Sequence, residues 1–100
     1  MTIIVHYEVE NTPHSWLMTC GDDMTYLLGE YEEGKEQKEN EITAFRDIKN
    51  ALRMIQRDEY GKKKTHPTLK SIEKATPERE AEWEKNYREW KANGKKGVIK

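Results

Sequence analysis

Few residues of this chain have the chemistry to hold a metal or attack a substrate: His6, His14 and His66, the single cysteine Cys20, and the adjacent pair Asp22 and Asp23. Zinc sites draw paired Cys or His ligands from short, fixed intervals, and these residues follow no such spacing. His14 falls among turn residues and His66 precedes Pro67, so both read as surface or capping residues, and no metal site is expected. Cys20 and His6 could meet across neighbouring strands as a nucleophile and its base. Cys20 alternates with Trp16 and Met18, however, a pattern that predicts a small core residue rather than an activated thiol.

The run GEYEEGKE, from Gly29 to Glu36, comes within one residue of the phosphate-cradling loop G-x-x-x-x-G-K-[ST]. Glu36 stands where a hydroxyl must hold Mg²⁺, and Glu30, Glu32 and Glu33 would repel the phosphates that backbone N–H groups are meant to attract. No doubly wound α/β frame surrounds it. With neither a nucleophile–base set nor paired carboxylates in an apolar setting, the chain reads as non-enzymatic and free of cofactors.

Two surfaces remain as candidates for binding. Arg46, Lys49, Arg53 and Arg57 follow at i, i+3, i+7 and i+11, which on a helix aligns them along one flank, and Lys62, Lys63 and Lys64 extend the patch. Such a flank can neutralise phosphates. Yet Asp47, Asp58 and Glu59 interrupt it, and the sequence pI near 6.3 lies far below the values above about 9 typical of nucleic-acid-binding domains. Nucleic-acid binding through these seven cations, with Trp90 as a stacking platform, is therefore the alternative reading.

The other surface is EWEKNYREW, where Trp83, Tyr87 and Trp90 form one helical stripe at i, i+4 and i+7. Trp83 and Tyr87 are expected to complete the core, because each can bury on the order of 150 to 250 Å². Trp90, flanked by Glu89 and Lys91, is expected at an exposed margin, where Trp90, Tyr87 and Arg88 would form a docking edge for another protein. On this reading the chain is a small accessory or regulatory protein of bacterial or viral inhibitor type, acting through a protein partner.

Composition sets what can position these residues. One hundred residues supply one domain and one core of modest size, so the whole chain, 1–100, is read as a single domain. Ile, Val, Leu and Phe together number only 16, but three Trp, five Tyr and four Met add apolar area, and a net charge of −1 argues against a disordered chain. No run approaches the roughly 18 apolar residues that span a bilayer, and no secretory leader is visible at the N-terminus. One cysteine suits a reducing compartment, so a cytoplasmic location is expected. Residues 1–50 carry a balance of −7 and residues 51–100 one of +6, a polarity that would also allow head-to-tail self-association.

The elements follow from period and punctuation. TIIVHYEVE alternates with period two, apart from Ile4, and predicts a half-buried strand; Asn11 and Pro13 supply a turn, and SWLMTC returns as its hairpin partner. MTYLLGEY fits either period and is read as a third strand. EEGKEQKEN is read as a solvated loop, mobile and tolerant of insertion, and EITAF as an edge strand or helix entry. Phe45, Ile48, Leu52 and Ile55 predict a core-facing helix of about three turns that ends near Asp58, with Gly61 as its stop. KKKTHPTLKSIEKA is read as a basic connector with a helical turn carrying Leu69 and Ile72. Thr76, Pro77, early acids, late bases and Asn93-Gly94 frame the final helix. The expected fold is α+β: a small antiparallel sheet of three or four strands in the N-terminal half, followed by two main helices.

Overall fold

The computed structural model describes residues 1–32, 35 and 38–99, apart from the side chains of 39 and 40. Residues 33, 34, 36 and 37 of the EEGKEQKEN loop therefore lie outside the described residues, and with them the expected mobility, while its last two residues, 39 and 40, are helical rather than loop. The chain is an α+β domain whose four-stranded antiparallel sheet is built from β1 (Thr2–Val9), β2 (Thr12–Thr19), β3 (Gly29–Glu30) and β4 (Thr68–Lys74) in the order β2-β1-β4-β3. Helix α1 (Glu39–Tyr60) precedes β4, and α2 (Pro77–Ala92) follows it.

The hairpin closes on the pair Val9 and Thr12, with Glu10 and Asn11 both at positive φ, 53° and 64°. Positive φ at both central residues is the primed turn whose twist matches that of paired strands. Register then opposes Ile3, Val5, Tyr7 and Val9 to Met18, Trp16, His14 and Thr12 on one face of the sheet. Leu69 and Ile72 of β4 extend that face, and Ala44, Phe45 and Leu52 of α1 pack against it.

Ile4, the exception to the alternation, is fully buried on the opposite face. It anchors a second apolar cluster with Ala75, Trp83, Trp90 and Ile99, flanked by Trp16, Leu17, Tyr60 and Tyr87. β1 is thus covered on both sides, which three consecutive buried residues, Ile3 to Val5, require.

Three sequence expectations are corrected. The segment read as a connector with a helical turn is β4, paired to β1 and β3. Its partner register skips Lys70 between His6 and Tyr7, and this bulge turns Leu69 and Ile72 to the same face although they are three residues apart. The segment read as a third strand is a strand only at Gly29–Glu30, which pairs with β4; its first half, Met24 to Leu27, belongs to a 3₁₀ turn, Asp22–Leu27, which buries Leu27. The middle helix is longer than its apolar stripe. It begins at Glu39, takes in EITAF, and ends where Gly61 adopts φ 68° while its N–H and that of Lys62 both donate to the Gln56 carbonyl.

Helix α2 has the expected frame. The Thr76 hydroxyl accepts from the Arg79 N–H at 3.2 Å and Pro77 occupies the first turn. Thr76→Ala is expected to cost about 1 kcal/mol, the usual worth of an N-cap, measured by urea unfolding; an unchanged midpoint would show that the cap contributes nothing.

Candidate functional site

Helix α1 presents two unlike flanks. Toward β2, Ala44, Asp47, Ile48 and Ala51 meet Met18, Cys20 and Met24 around an apolar hollow of about 330 Å³. Away from it run the cations. Arg46, Lys49 and Arg53, with Ile42 and Phe45, line a groove of about 270 Å³. Arg53 also borders the next groove, about 350 Å³, lined by Met54, Arg57, Lys63, Lys64 and Thr65. The helical spacing thus does bring Arg46, Lys49, Arg53 and Arg57 together, and the return loop adds Lys63 and Lys64 beside them.

The pairing of these cations differs from one to the next. Arg53 is braced by Nε donating to the Thr65 carbonyl at 3.3 Å and Nη1 donating to Asn50 Oδ1 at 2.7 Å. Arg57 is paired with its neighbour Asp58 at 2.9 Å, and Lys62 reaches Glu10 at 3.2 Å. Arg46, Lys49, Lys63 and Lys64 make no ion pair among the described residues. Asp47, which interrupts the pattern in sequence, lines the opposite hollow instead.

The aromatic stripe of α2 is placed otherwise than expected. Trp83 is 3% exposed and Trp90 only 4%, so Trp90 is not at an exposed margin. Trp83 Nε1 donates to Ser15 Oγ at 2.9 Å and Trp90 Nε1 to the Gly97 carbonyl at 3.1 Å, which satisfies both indoles inside the domain. The turn after α2, with Gly94 and Gly97 at positive φ, folds the tail back so that Ile99 packs on the same cluster. Tyr87 is half-buried, stacked on Trp83 at 5.4 Å and edge-on to Trp16 at 5.5 Å, and Arg88 is exposed.

His14 is corrected too. It lies within β2, 6% exposed, stacked on Tyr7 at 5.3 Å and edge-on to Tyr60 at 4.8 Å. Among the described residues neither ring nitrogen has a hydrogen-bond partner, and nearby Gln56 donates to the Tyr7 hydroxyl at 2.8 Å. Sequence reasoning missed this polar core cluster. Two signals were present: a turn at Glu10-Asn11 puts His14 opposite Tyr7, and Gln56 continues the apolar stripe one turn beyond Leu52.

Burial first, and then the charge of Lys62, hold the His14 imidazole below its ordinary value of 6.5. It is therefore neutral in the fold, while the unfolded chain takes up a proton as pH falls through about 6.5. Protonation then favours the unfolded state, so stability should decline from about pH 6.5 downward to the lowered folded value. Urea midpoints between about pH 7 and pH 5 should fall in the wild type and fall less in His14→Phe. Parallel profiles would show that His14 does not set this dependence.

Other groups with chemical potential are kept apart. His6 Nε2 lies 3.1 Å from Glu73 Oε1, which also pairs with Arg79 at 3.2 Å. Cys20 sits beyond the end of β2, where its N–H donates to the Met1 carbonyl, and burial pushes its thiol up. His66 is exposed beside Pro67. Among the described residues, no three His, Cys, Asp or Glu side chains converge to hold a metal, and no helix is long and apolar enough to cross a membrane. Gly29, the start of the phosphate-loop look-alike, belongs to edge strand β3 rather than to a strand-to-helix turn. In comparison with known proteins, the chain matches no family model, no curated protein and no solved structure.

Proposed function

We propose that this domain is a non-enzymatic binding protein whose outer α1 flank takes an acidic segment of another protein. The observation that carries the reading is the pair of adjoining grooves joined at Arg53 and edged by Arg46, Lys49, Arg57, Lys63 and Lys64. Cations already held by internal carboxylates must give up a partner to bind a new one. Arg46, Lys49, Lys63 and Lys64 are not so held among the described residues, so they can meet a partner's carboxylates without breaking a native pair. Trp90 was the other basis for a protein interface, and its burial moves the candidate surface from α2 to α1.

The same burial weakens the nucleic-acid reading. A single-strand binder interleaves cations with exposed rings on which bases stack, but Trp83 and Trp90 are both internal, and exposed Tyr26 belongs to the 3₁₀ turn and lines neither groove. The grooves carry Ile42 and Met54 instead, side chains that suit the apolar part of a protein surface. The lone Cys20, unable to form an internal disulfide, fits a cytoplasmic setting.

Fluorescence anisotropy of a labelled acidic peptide and a labelled duplex, each titrated at low and at physiological salt, tests the reading. The peptide should bind and retain measurable affinity at about 0.15 M salt, and Arg46→Glu with Lys63→Glu should weaken it at least about tenfold, because two attractions become repulsions. Neither residue makes an ion pair among the described residues, so the variants should remain folded. Preference for the duplex, with steep loss of affinity in salt, would identify phosphate neutralisation as the function instead.

A further inference from the structure

We infer that the hollow between β2 and α1 is a binding site for a soft monovalent metal ion, Cu(I), held by the thiol of Cys20 and the thioethers of Met18 and Met24. The site lies on the flank of α1 away from the cations and does not rest on the acidic-partner reading. The chain has five sulfur-bearing residues, four Met and one Cys. Four of them, Met1, Met18, Cys20 and Met24, pack against the same apolar cluster, and Met18, Cys20 and Met24 line the one hollow of about 330 Å³. Methionine commonly serves as pliable filling in a core. These three residues, however, are only partly buried and border a space that packing leaves unfilled.

The backbone brings the three together. The Cys20 N–H donates to the Met1 carbonyl at 2.9 Å and the Met1 nitrogen donates back to the Cys20 carbonyl at 2.8 Å, which carries the β1–β2 ladder one pair beyond Thr2 and Thr19. Strand alternation then sets Met18 and Cys20 on one face, about 7 Å apart along the strand. The Met24 N–H donates to the Gly21 carbonyl at 3.0 Å, a tight turn that returns Met24 to the same hollow. Methionine has three rotatable bonds with which to close the remaining distance. Thiolate and thioether ligands are the ones that select Cu(I), whereas Zn²⁺ takes imidazoles or several thiolates, and the described lining residues include no imidazole and no second thiol. A Cys and His spacing rule passes over such a site, because two of its three ligands are thioethers. On binding, Cu⁺ replaces the thiol proton, which passes to solvent; one thiolate and two neutral thioethers then balance its single charge against an apolar wall. Asp47 at the rim, with Asp22 and Asp23 close enough to act on Cys20, gives the entrance a negative field that draws cations in.

Anaerobic titration of Cu(I) in competition with a chromophoric Cu(I) chelator, with the methionine methyl signals followed by NMR, tests this on the whole domain. The wild type should take up a single equivalent, with shifts at the Met18 and Met24 methyls and none at Met54, which is exposed on α1 outside the hollow. Met18→Leu and Met24→Leu conserve volume, so the fold is retained. Each should weaken Cu(I) binding at least about tenfold, the least that loss of even an outer partner of a metal ligand costs, and Cys20→Ser should weaken it more. Met54→Leu should change nothing. If both Leu variants in the hollow bind Cu(I) as tightly as the wild type, or if the Met54 methyl shifts as far as those of Met18 and Met24, the ion is held by a single accessible sulfur and the inference is overturned. No uptake against the chelator would overturn it equally.

Discussion

Trp90→Ala is expected to destabilise the domain about as severely as Trp83→Ala, by about 3 to 5 kcal/mol each. Both rings are almost wholly buried, Trp83 at 3% and Trp90 at 4% exposure, in a cluster whose other buried members are Ile4, Ala75 and Ile99. Truncating either leaves a cavity that so small a cluster cannot refill. Each change also removes an internal hydrogen bond, to Ser15 Oγ for Trp83 and to the Gly97 carbonyl for Trp90. The Trp90 variant should additionally free the tail, because its ring lies 4.9 Å from Tyr60 and under the Lys95 ammonium at 5.7 Å. Tyr87→Ala, removing a half-buried ring, should cost less than either. Urea unfolding of the three variants measures this, and a loss below about 1 kcal/mol for Trp90→Ala would mean that its ring is at the surface.

The second large effect belongs to the other cluster. Leu52 is 0% exposed at the centre of the α1 face that packs on Val5, Tyr7, Leu69 and Ile72. Leu52→Ala should cost about 2 to 5 kcal/mol, as buried leucine truncations do, the value depending on how far the neighbouring side chains collapse. Met54→Ala, two residues along and on the exposed side, should cost less than about 0.5 kcal/mol. The ratio between them reads out the orientation of α1. Equal costs would mean that the helix is rotated from the position described.

How much of this was legible in the sequence differs by element, for physical reasons. The α1 stripe and the α2 caps could be read because both depend on residues close in sequence, where helical period and terminal hydrogen bonds act directly. β4 could not, because its bulge at Lys70 gives Leu69 and Ile72 a helix-like interval, and only pairing with β1 reveals which residue is extra. Ile4 looked like an error in a strand pattern until a second layer accounted for it. The 3₁₀ turn was ambiguous because Met24, Leu27, Leu28 and Tyr31 suit a helical period while Met24, Tyr26 and Leu28 suit a strand, over so short a run.

The candidate site shows the same division. The spacing of Arg46, Lys49, Arg53 and Arg57 was enough to place them on one flank, since that is a property of a single helix. That Lys63 and Lys64 join them, and that Ile42 and Met54 sit among them, depends on where the return loop packs. Trp90 went the other way. Its charged neighbours in sequence suggested an exposed margin, but the folded-back tail at Gly97 and Ile99 covers it, and no local pattern encodes that closure.

Mapping backbone amide shifts in the labelled domain during titration with the acidic peptide tests the central claim most directly. The account predicts saturable shifts concentrated from Ile42 to Arg57 and at Lys63 to Thr65, with the outer face of α2 around Arg88 unaffected. Shifts centred on Tyr87 and Arg88, with α1 unaffected, would contradict it and place the partner on the C-terminal helix.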